Sequence, residues 1–485
     1  MKIPRCMSTQ HPDNVNTPFF SETPEIGGED EIKECFYAFS HLGCDEQMWD
    51  CEGKEIDNYV VKKLLTKYRN FFDENRLGKD VFITLRVPNP TIEKAEAKIL
   101  VETLESIPRS FDASNLVYRD NIPPIFEIIL PMVTSPKCID RVYTYYRDFV
   151  VGKQYKPFNE GDITIADWIG KFSPDKINCI PLIEDMEHML DAHNILKTYL
   201  NNKEVSYHRV FLARSDPAMN YGLVTAVLIN KIALQNIYNL SNEINIEIFP
   251  IVGVGSAPFR GNLRPKTVER VSNEYPYTHT FTIQSAFKYD NPPHEILIAI
   301  KKLKERKTDK PRFINQQKSL EIINKYTEEY TKQIILLAPL INRISKFVPS
   351  RRKRKLHIGL FGYSRSVGDI NLPRAITFTA ALYSIGIPPE ILGLNILSDK
   401  ELEFIQESYI NFEDDLRDAL KYYNSDLDFL PIELKERLKQ LNFDYQKDDK
   451  HNDITESIMD SIKKNRLEDL TEKILMAANL RRFLG

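Results

Sequence analysis

Residues 179–216 read CIPLIEDMEHMLDAHNILKTYLNNKEVSYHRVFLARSD. An apolar run, CIPLIE, ends in the acid Glu184. A helix-forming stretch over 185–201 follows, and a second apolar run, RVFLARS (209–215), ends beside Asp216. Strands that are apolar along nearly their whole length are those buried on both faces, as in parallel sheets. Strand, helix and strand in succession make a βαβ unit.

The same alternation extends in both directions. Upstream, CFYAFSHL (35–42), VFITLRV (81–87) and IFEIILPM (125–132) are candidate strands. Downstream, INIEIFPIVGV (244–254), FTIQSAF (281–287) and KLHIGLFGYS (355–364) are further ones. Helical patterns occupy 54–68, 92–106, 137–149, 218–237 and 318–346. With the first two runs this gives eight strands, which predicts an α/β protein with a closed (β/α)8 barrel of the TIM type and extra helices. Beyond 396 the pattern becomes purely helical, as in DKELEFIQESYINFEDDLRDALKYY and DITESIMDSIKKNRLEDLTEKILMAANLRR. The expected division is a catalytic barrel over 1–395 and a helical extension over 396–485, packed on the barrel or on a neighbouring subunit.

Bulk properties narrow the function classes. A net charge of −4 gives no global basic field for nucleic acid or an anionic membrane. No apolar run approaches the ~20 residues of a membrane helix, and MKIPRCMSTQHPDN lacks the apolar core of a secretion signal. A cytoplasmic protein is expected. The six cysteines form no CxxC pair and none has zinc-finger spacing, so buried thiols in a reducing compartment are expected. The histidines include no HExxH, and His188 and His193 are poorly spaced for one metal. RRKRK (351–355) directly precedes a candidate strand, which suits a solvated face or subunit contact better than a nucleic-acid patch.

Barrel enzymes place their chemistry at the carboxyl ends of the strands. Glu184 and Asp216 lie at two consecutive ends, where a carboxylate pair can chelate a hard divalent cation. Each also precedes a helix, and on position alone helix capping is the favoured reading of both. Arginines recur at other strand ends: Arg86 after VFITLR, Arg260 and Arg264 in GSAPFRGNLRP, Arg365 in GYSRS and Arg374 in LPRAI. Guanidinium groups bind phosphate and carboxylate through a planar fork. The glycine loop GVGSAPFRG fails the GxGxxG spacing, because Pro258 replaces the third glycine. His11, on a polar segment, has no spacing that marks it as catalytic.

STQHPDN (8–14), YAFSHLGCDEQMWDCEGKEIDNYVVKKLL (37–65), LRVPNP (85–90), ESIPRSFD (105–112), FTIQSAFKYD (281–290) and GLFGYSRS…LPRAITFTAALYSIGIPPEILGL (359–394) resemble the short, archaeal-type phosphoenolpyruvate carboxylases nearly end to end. The resemblance implies carboxylation of phosphoenolpyruvate by bicarbonate to oxaloacetate and inorganic phosphate, through carboxyphosphate and a metal-stabilised pyruvate enolate. It implies an anaplerotic, Mg2+- or Mn2+-dependent homotetramer. Likeness to the strand-end motifs of the long bacterial and plant carboxylases turns Glu184 and Asp216 toward metal binding. By the same likeness His11, Arg260, Arg365 and Arg374 become catalytic candidates, with Arg86, Arg264, Gln284 and Lys288 as substrate ligands. The HPT motif of the long enzymes becomes HPD here, with Asp13 in place of Thr. Their mobile HGRGG loop is replaced by GVGSAPFRGNLRP, which leaves Arg260 and Arg264 competing for one role. Loop 253–264 is expected to act as a lid. The rival readings are a citrate-lyase-like or aldolase-like metal–enolate enzyme, a non-catalytic anion-binding scaffold and, last, a nucleic-acid binder.

Overall fold

Eight parallel strands close into a barrel in the computed structural model: β1 Cys6–Ser8, β2 Glu46–Asp50, β3 Phe82–Arg86, β4 Glu127–Leu130, β5 Asn178–Ile183, β6 Tyr207–Ala213, β7 Glu247–Gly253 and β8 Thr280–Ile283. The structure describes every residue except 1, 55–56, 95–96, 202, 355–364, 368–369, 428 and 442; of 365–367 and 370 it describes the backbone alone. Each strand pairs with its sequence neighbour, and Cys6↔Phe281, Met7↔Thr282 and Ser8↔Ile283 close the ring between β1 and β8.

Period-two alternation along the strands fills the barrel in layers. Near their amino ends β2, β4, β6 and β8 bring together Glu46, Glu127, Arg209 and Thr280. Arg209 donates to Glu46 at 2.7 and 2.8 Å, to Glu127 at 2.8 Å and to Thr280 Oγ1 at 3.3 Å. A layer of four side chains from alternate strands is the packing that closes TIM barrels; here it is a fully buried ion network. Two residues further along lie Met48, Ile129 and Phe211, which join Met7, Ile180, Leu182, Ala213 and Ile251 in an apolar plug. One more step of the same period carries Asp50 on β2, Arg86 on β3 and Glu184 after β5 to the carboxyl-end mouth. The plug seals that mouth from the polar floor.

Outside the strands, helices bury one continuous apolar shell. The helix Leu223–Ile244 is buried at every position from 223 to 234, because the long helix Gln316–Ser345 lies against its outer side. After 396 the described residues form helices only: Asp399–Ser408, Phe412–Leu420, Ile432–Leu441, Asp449–Lys463 and Leu470–Arg481. All six cysteines are buried and unbridged. Among the described residues no single helix is long and apolar enough to cross a membrane.

One expected strand needs correction, and another is untested. CFYAFSHL lies mainly in the helix Glu29–Ser40, whose buried Ile32, Cys35, Ala38 and Phe39 follow a three-to-four spacing rather than alternation. The candidate 355–364 lies outside the described residues. The barrel completes itself with β1 and β2 instead. β1 has only three residues, and β2 (EQMWD) has three buried polar side chains, of which Glu46 and Asp50 face the barrel interior.

Candidate active site

The carboxyl ends of the strands surround a cavity of about 280 Å³. β1 leads into His11. β2 ends in Asp50, with Glu52 and Lys54 in the turn beyond it. β3 ends in Arg86, Glu184 follows β5, Asp216 follows β6, Arg260 sits in the loop after β7 and Gln284 follows β8. All of these line the cavity, as does Arg374 from just before the helix Ala375–Ser384. β4 contributes a backbone donor, Met132 N, which binds Glu184 Oε2 at 2.8 Å.

The two acids expected at consecutive strand ends thus meet at one cavity. Glu184 does not cap the helix that follows it: Asp185 does, accepting from His188 N at 3.0 Å. Asp216 lies in the first turn of Ser215–Tyr221 and still lines the cavity. Burial and the neighbouring Asp216 charge push the Glu184 carboxyl up to about 8, against the pull of Arg86. Two carboxylates held together against their mutual repulsion suit a bound cation that removes it. Among the described residues no cluster of three or more His, Cys, Asp or Glu side chains is poised to hold a metal. A two-carboxylate set suits a hard octahedral ion that keeps water and substrate oxygens in its remaining positions.

The same cavity carries a wall rich in cations. Arg86 Nη1 is 3.1 Å from Asp50 Oδ1 and 2.5 Å from Glu52 Oε2. Lys54 pairs with the other Asp50 oxygen. Burial alone would raise the Asp50 carboxyl, but Lys54 and Arg86 outweigh it and hold it below the usual range. Burial lowers Lys54 to about 8 and raises Glu52 to about 7. His11 is held well below the ordinary imidazole value, first by burial and then by the Lys54 charge, so it is neutral at physiological pH. Arg260 is buried and donates to Gln284 Oε1 at 2.6 Å and to the carbonyl of Gly485 at 2.7 Å.

Two expectations fall elsewhere, and the third, Arg365, is untested. Arg264 does not line the cavity; its Nη2 binds Asp418 at 2.8 Å beside Arg270, so of the two loop arginines only Arg260 reaches the mouth. Lys288 is buried behind the wall, on Glu34 Oε1 at 2.7 Å and the Thr9 carbonyl at 2.8 Å, where it ties β1 to β8. The backbone of Arg365–Val367 pairs with Ile370–Leu372, and the Arg365 side chain lies outside the described atoms.

Loop 253–264, expected as a lid, stands in the cavity wall in a closed arrangement. Its backbone closes on itself from Gly255 N to the Arg260 carbonyl at 2.7 Å and from Leu263 N to the Gly255 carbonyl at 2.9 Å, and Glu390 receives Phe259 N at 2.5 Å. Of RRKRK, the described residues are only in part a solvated face: Lys353 and Arg354 are exposed, Arg352 is buried on Glu31 and Glu34, and Arg351 and Arg354 line the cavity. The acids and base of the β2 turn, Asp50, Glu52 and Lys54, escaped the sequence reading. Their only local signal was the density of charge in DEQMWDCEGKE, which no helical or strand period explains.

A family model described as phosphoenolpyruvate carboxylase matches residues 3–485. The chain is 56% identical over 485 residues to the phosphoenolpyruvate carboxylase of Methanothermobacter thermautotrophicus, with both chains covered completely. Identity to the enzyme of that name from Methanospirillum hungatei is also 56%, again over all of both chains. With that of Pyrococcus furiosus it is 55% over 424 residues, 87% of this chain and 89% of the other. The chain belongs to the short, archaeal-type phosphoenolpyruvate carboxylases, and its reaction is the carboxylation of phosphoenolpyruvate.

Proposed function

We propose that the strand-end cavity performs this carboxylation with Mg2+, or Mn2+ in its place, held by Glu184 and Asp216. The observation that carries the reading is that this carboxylate pair lines one cavity together with Arg86, Arg260, Arg374 and His11. When bound there, the divalent ion supplies a Lewis acid for the oxygen that becomes the enolate. Full-length identity to carboxylases leaves the aldolase-like, scaffold and nucleic-acid alternatives without support.

The chain's own residues meet the remaining demands. Bicarbonate attacks phosphorus, giving carboxyphosphate and pyruvate enolate. Arg260 and Arg374, with Arg365 as a third candidate, are fixed cations for the charge on the transferring phosphoryl group, and Arg86 with Gln284 orients the substrate. Arg264 and Lys288 support the wall from behind. His11, neutral in its cationic surroundings, takes the carboxyl proton of carboxyphosphate. Carboxyphosphate then separates into phosphate and CO2, which the enolate carbon attacks. A walled mouth excludes water that would protonate the enolate to pyruvate.

The helices after 396 are read as an extension completing this wall, in a cytoplasmic homotetramer. In support, Asp415 and Asp418 hold Asn262 of the β7 loop at 2.6 and 3.0 Å, and Leu484 N binds the Asp13 carbonyl at 2.7 Å. A coupled oxaloacetate assay with phosphoenolpyruvate, bicarbonate and Mg2+, with and without chelator, tests the reading. Bicarbonate-dependent turnover that chelator abolishes is expected; undiminished turnover in chelator would dismiss the metal.

A further inference from the structure

His11 touches a second buried side chain that the reaction does not require directly. Its Nδ1 lies 3.1 Å from Thr9 Oγ1, on the segment joining β1 to His11. Thr9 is fully buried. The same hydroxyl is 3.3 Å from the main-chain carbonyl of Ile283, at the end of β8. A carbonyl only accepts, and a hydroxyl has one proton. If the proton goes to Ile283, Thr9 Oγ1 is an acceptor toward His11, and the imidazole must carry its hydrogen on Nδ1. Nε2 is then the nitrogen with the lone pair.

We infer that Thr9 is a positioning residue for His11, fixing the Nδ1–H tautomer so that Nε2 is the basic nitrogen. The backbone around the pair is pinned independently. Thr9 N binds the Ile283 carbonyl at 3.0 Å, Lys288 Nζ binds the Thr9 carbonyl at 2.8 Å, and Ser285 N binds the His11 carbonyl at 3.1 Å. The hydroxyl therefore stands on a rigid corner between β1 and β8, the arrangement by which a supporting hydrogen bond selects a tautomer. The charged groups around the imidazole are Lys54, Asp50, Arg86 and Arg260; three of these four are cations, which keep the ring uncharged until a proton reaches it.

The inference rests on the reading of His11 as the base. In that step the O–H bond of the carboxyphosphate carboxyl breaks. Its proton goes to Nε2 and its electron pair stays on oxygen. The C–O bond to phosphorus then breaks, with phosphate leaving and CO2 forming. With the hydrogen on Nε2 instead, no lone pair would be available there.

The test combines Thr9→Val, which keeps the shape and removes the hydroxyl, with Thr9→Ser, which restores it. Ring nitrogens of the full-length protein labelled with 15N-histidine are read by long-range 1H–15N correlation, with His11 assigned from its disappearance in His11→Asn. The wild type is expected to show protonated Nδ1 and bare Nε2. Thr9→Val should lose that pattern, with kcat for oxaloacetate falling about 10–100-fold and a larger share of product appearing as pyruvate, while Thr9→Ser stays near wild type. Protonated Nε2 in the wild type overturns the inference, even if Thr9→Val fails to fold. So does a Thr9→Val protein with unchanged tautomer and rate. Full oxaloacetate yield from His11→Asn would instead remove the base reading, whatever tautomer the spectra show.

Discussion

Arg86 and Asp50 stand directly opposite one another in register across β3 and β2, with guanidinium Nη1 3.1 Å from carboxylate Oδ1. The other Asp50 oxygen holds Lys54, and the side chains of both Asp50 and Lys54 are only 2% exposed. One carboxylate therefore bridges two cations in the wall beside His11, with Glu52 sharing Arg86. Asp50→Asn leaves a buried ammonium without its counter-charge, an arrangement that typically costs about 3–5 kcal/mol. A lower denaturation midpoint and severe loss of turnover are expected together. A variant as stable as wild type in denaturant titration would show that Lys54 finds relief elsewhere.

The metal reading separates from the fold. Asp216 lies in the first turn of its helix and lines the cavity without belonging to the apolar plug. Asp216→Asn should keep the wild-type circular dichroism spectrum while losing saturable Mn2+ binding and metal-dependent turnover. Ordinary Mn2+ affinity in that variant would remove Asp216 from the ligand set.

The two loop arginines make an internal control. Arg260→Ala removes a cation from the cavity, and loss of one oriented donor to a reacting group lowers turnover about 10²–10³-fold. Arg264 is partly exposed on Asp418, so Arg264→Ala should leave kcat within a few-fold and shift stability by less than about 1 kcal/mol. Comparable losses of kcat in both would contradict the geometry.

Burial and Lys54 hold His11 well below the ordinary imidazole value. A base whose conjugate acid is made more acidic in this way stays deprotonated, and so active, through the range where an exposed histidine would take up a proton near ~6.5. The acid limb of kcat/KM that belongs to His11 should therefore lie below that value. Lys54→Met removes the nearest cation and should move the limb upward in pH. A limb unchanged in Lys54→Met would show that burial alone sets the basicity.

Much of this architecture is legible in the chain because parallel strands buried on both faces are apolar throughout. β3 to β8 announce themselves by runs that are apolar over much of their length, broken by floor residues such as Glu127, Arg209 and Thr280, and their ends name Arg86, Glu184, Asp216, Arg260 and Gln284. β1 and β2 do not, for a physical reason. The barrel floor is polar, so Glu46 inside the barrel, like Gln47 on the outer face of β2, is buried by its neighbours and not by any apolar character of its own. The CFYAFSHL error has the opposite cause: a helix buried against the barrel is apolar enough over a short window to look like a strand. His11 is invisible to spacing because its environment is assembled from β2, β3 and β7, all distant in sequence.

Asp290 ties the segment beyond His11 to the barrel, and it should make stability depend on pH in a definite direction. Its carboxylate accepts from Val15 N at 2.7 Å and from the backbone and side-chain nitrogens of Asn16 at 2.9 Å each. Burial nevertheless pushes the group up to about 7. The unfolded chain releases this proton near ~3.9. Between those values the native state holds a proton that the unfolded state has lost, so this group's contribution falls as pH rises through the window. An amide in place of the acid carries no such charge. The stability of Asp290→Asn relative to wild type should therefore rise by roughly 2–4 kcal/mol between pH ~4 and ~7, measured by denaturant unfolding at each pH. A difference that stays flat across that range would mean the three N–H donors keep Asp290 ionised despite its burial.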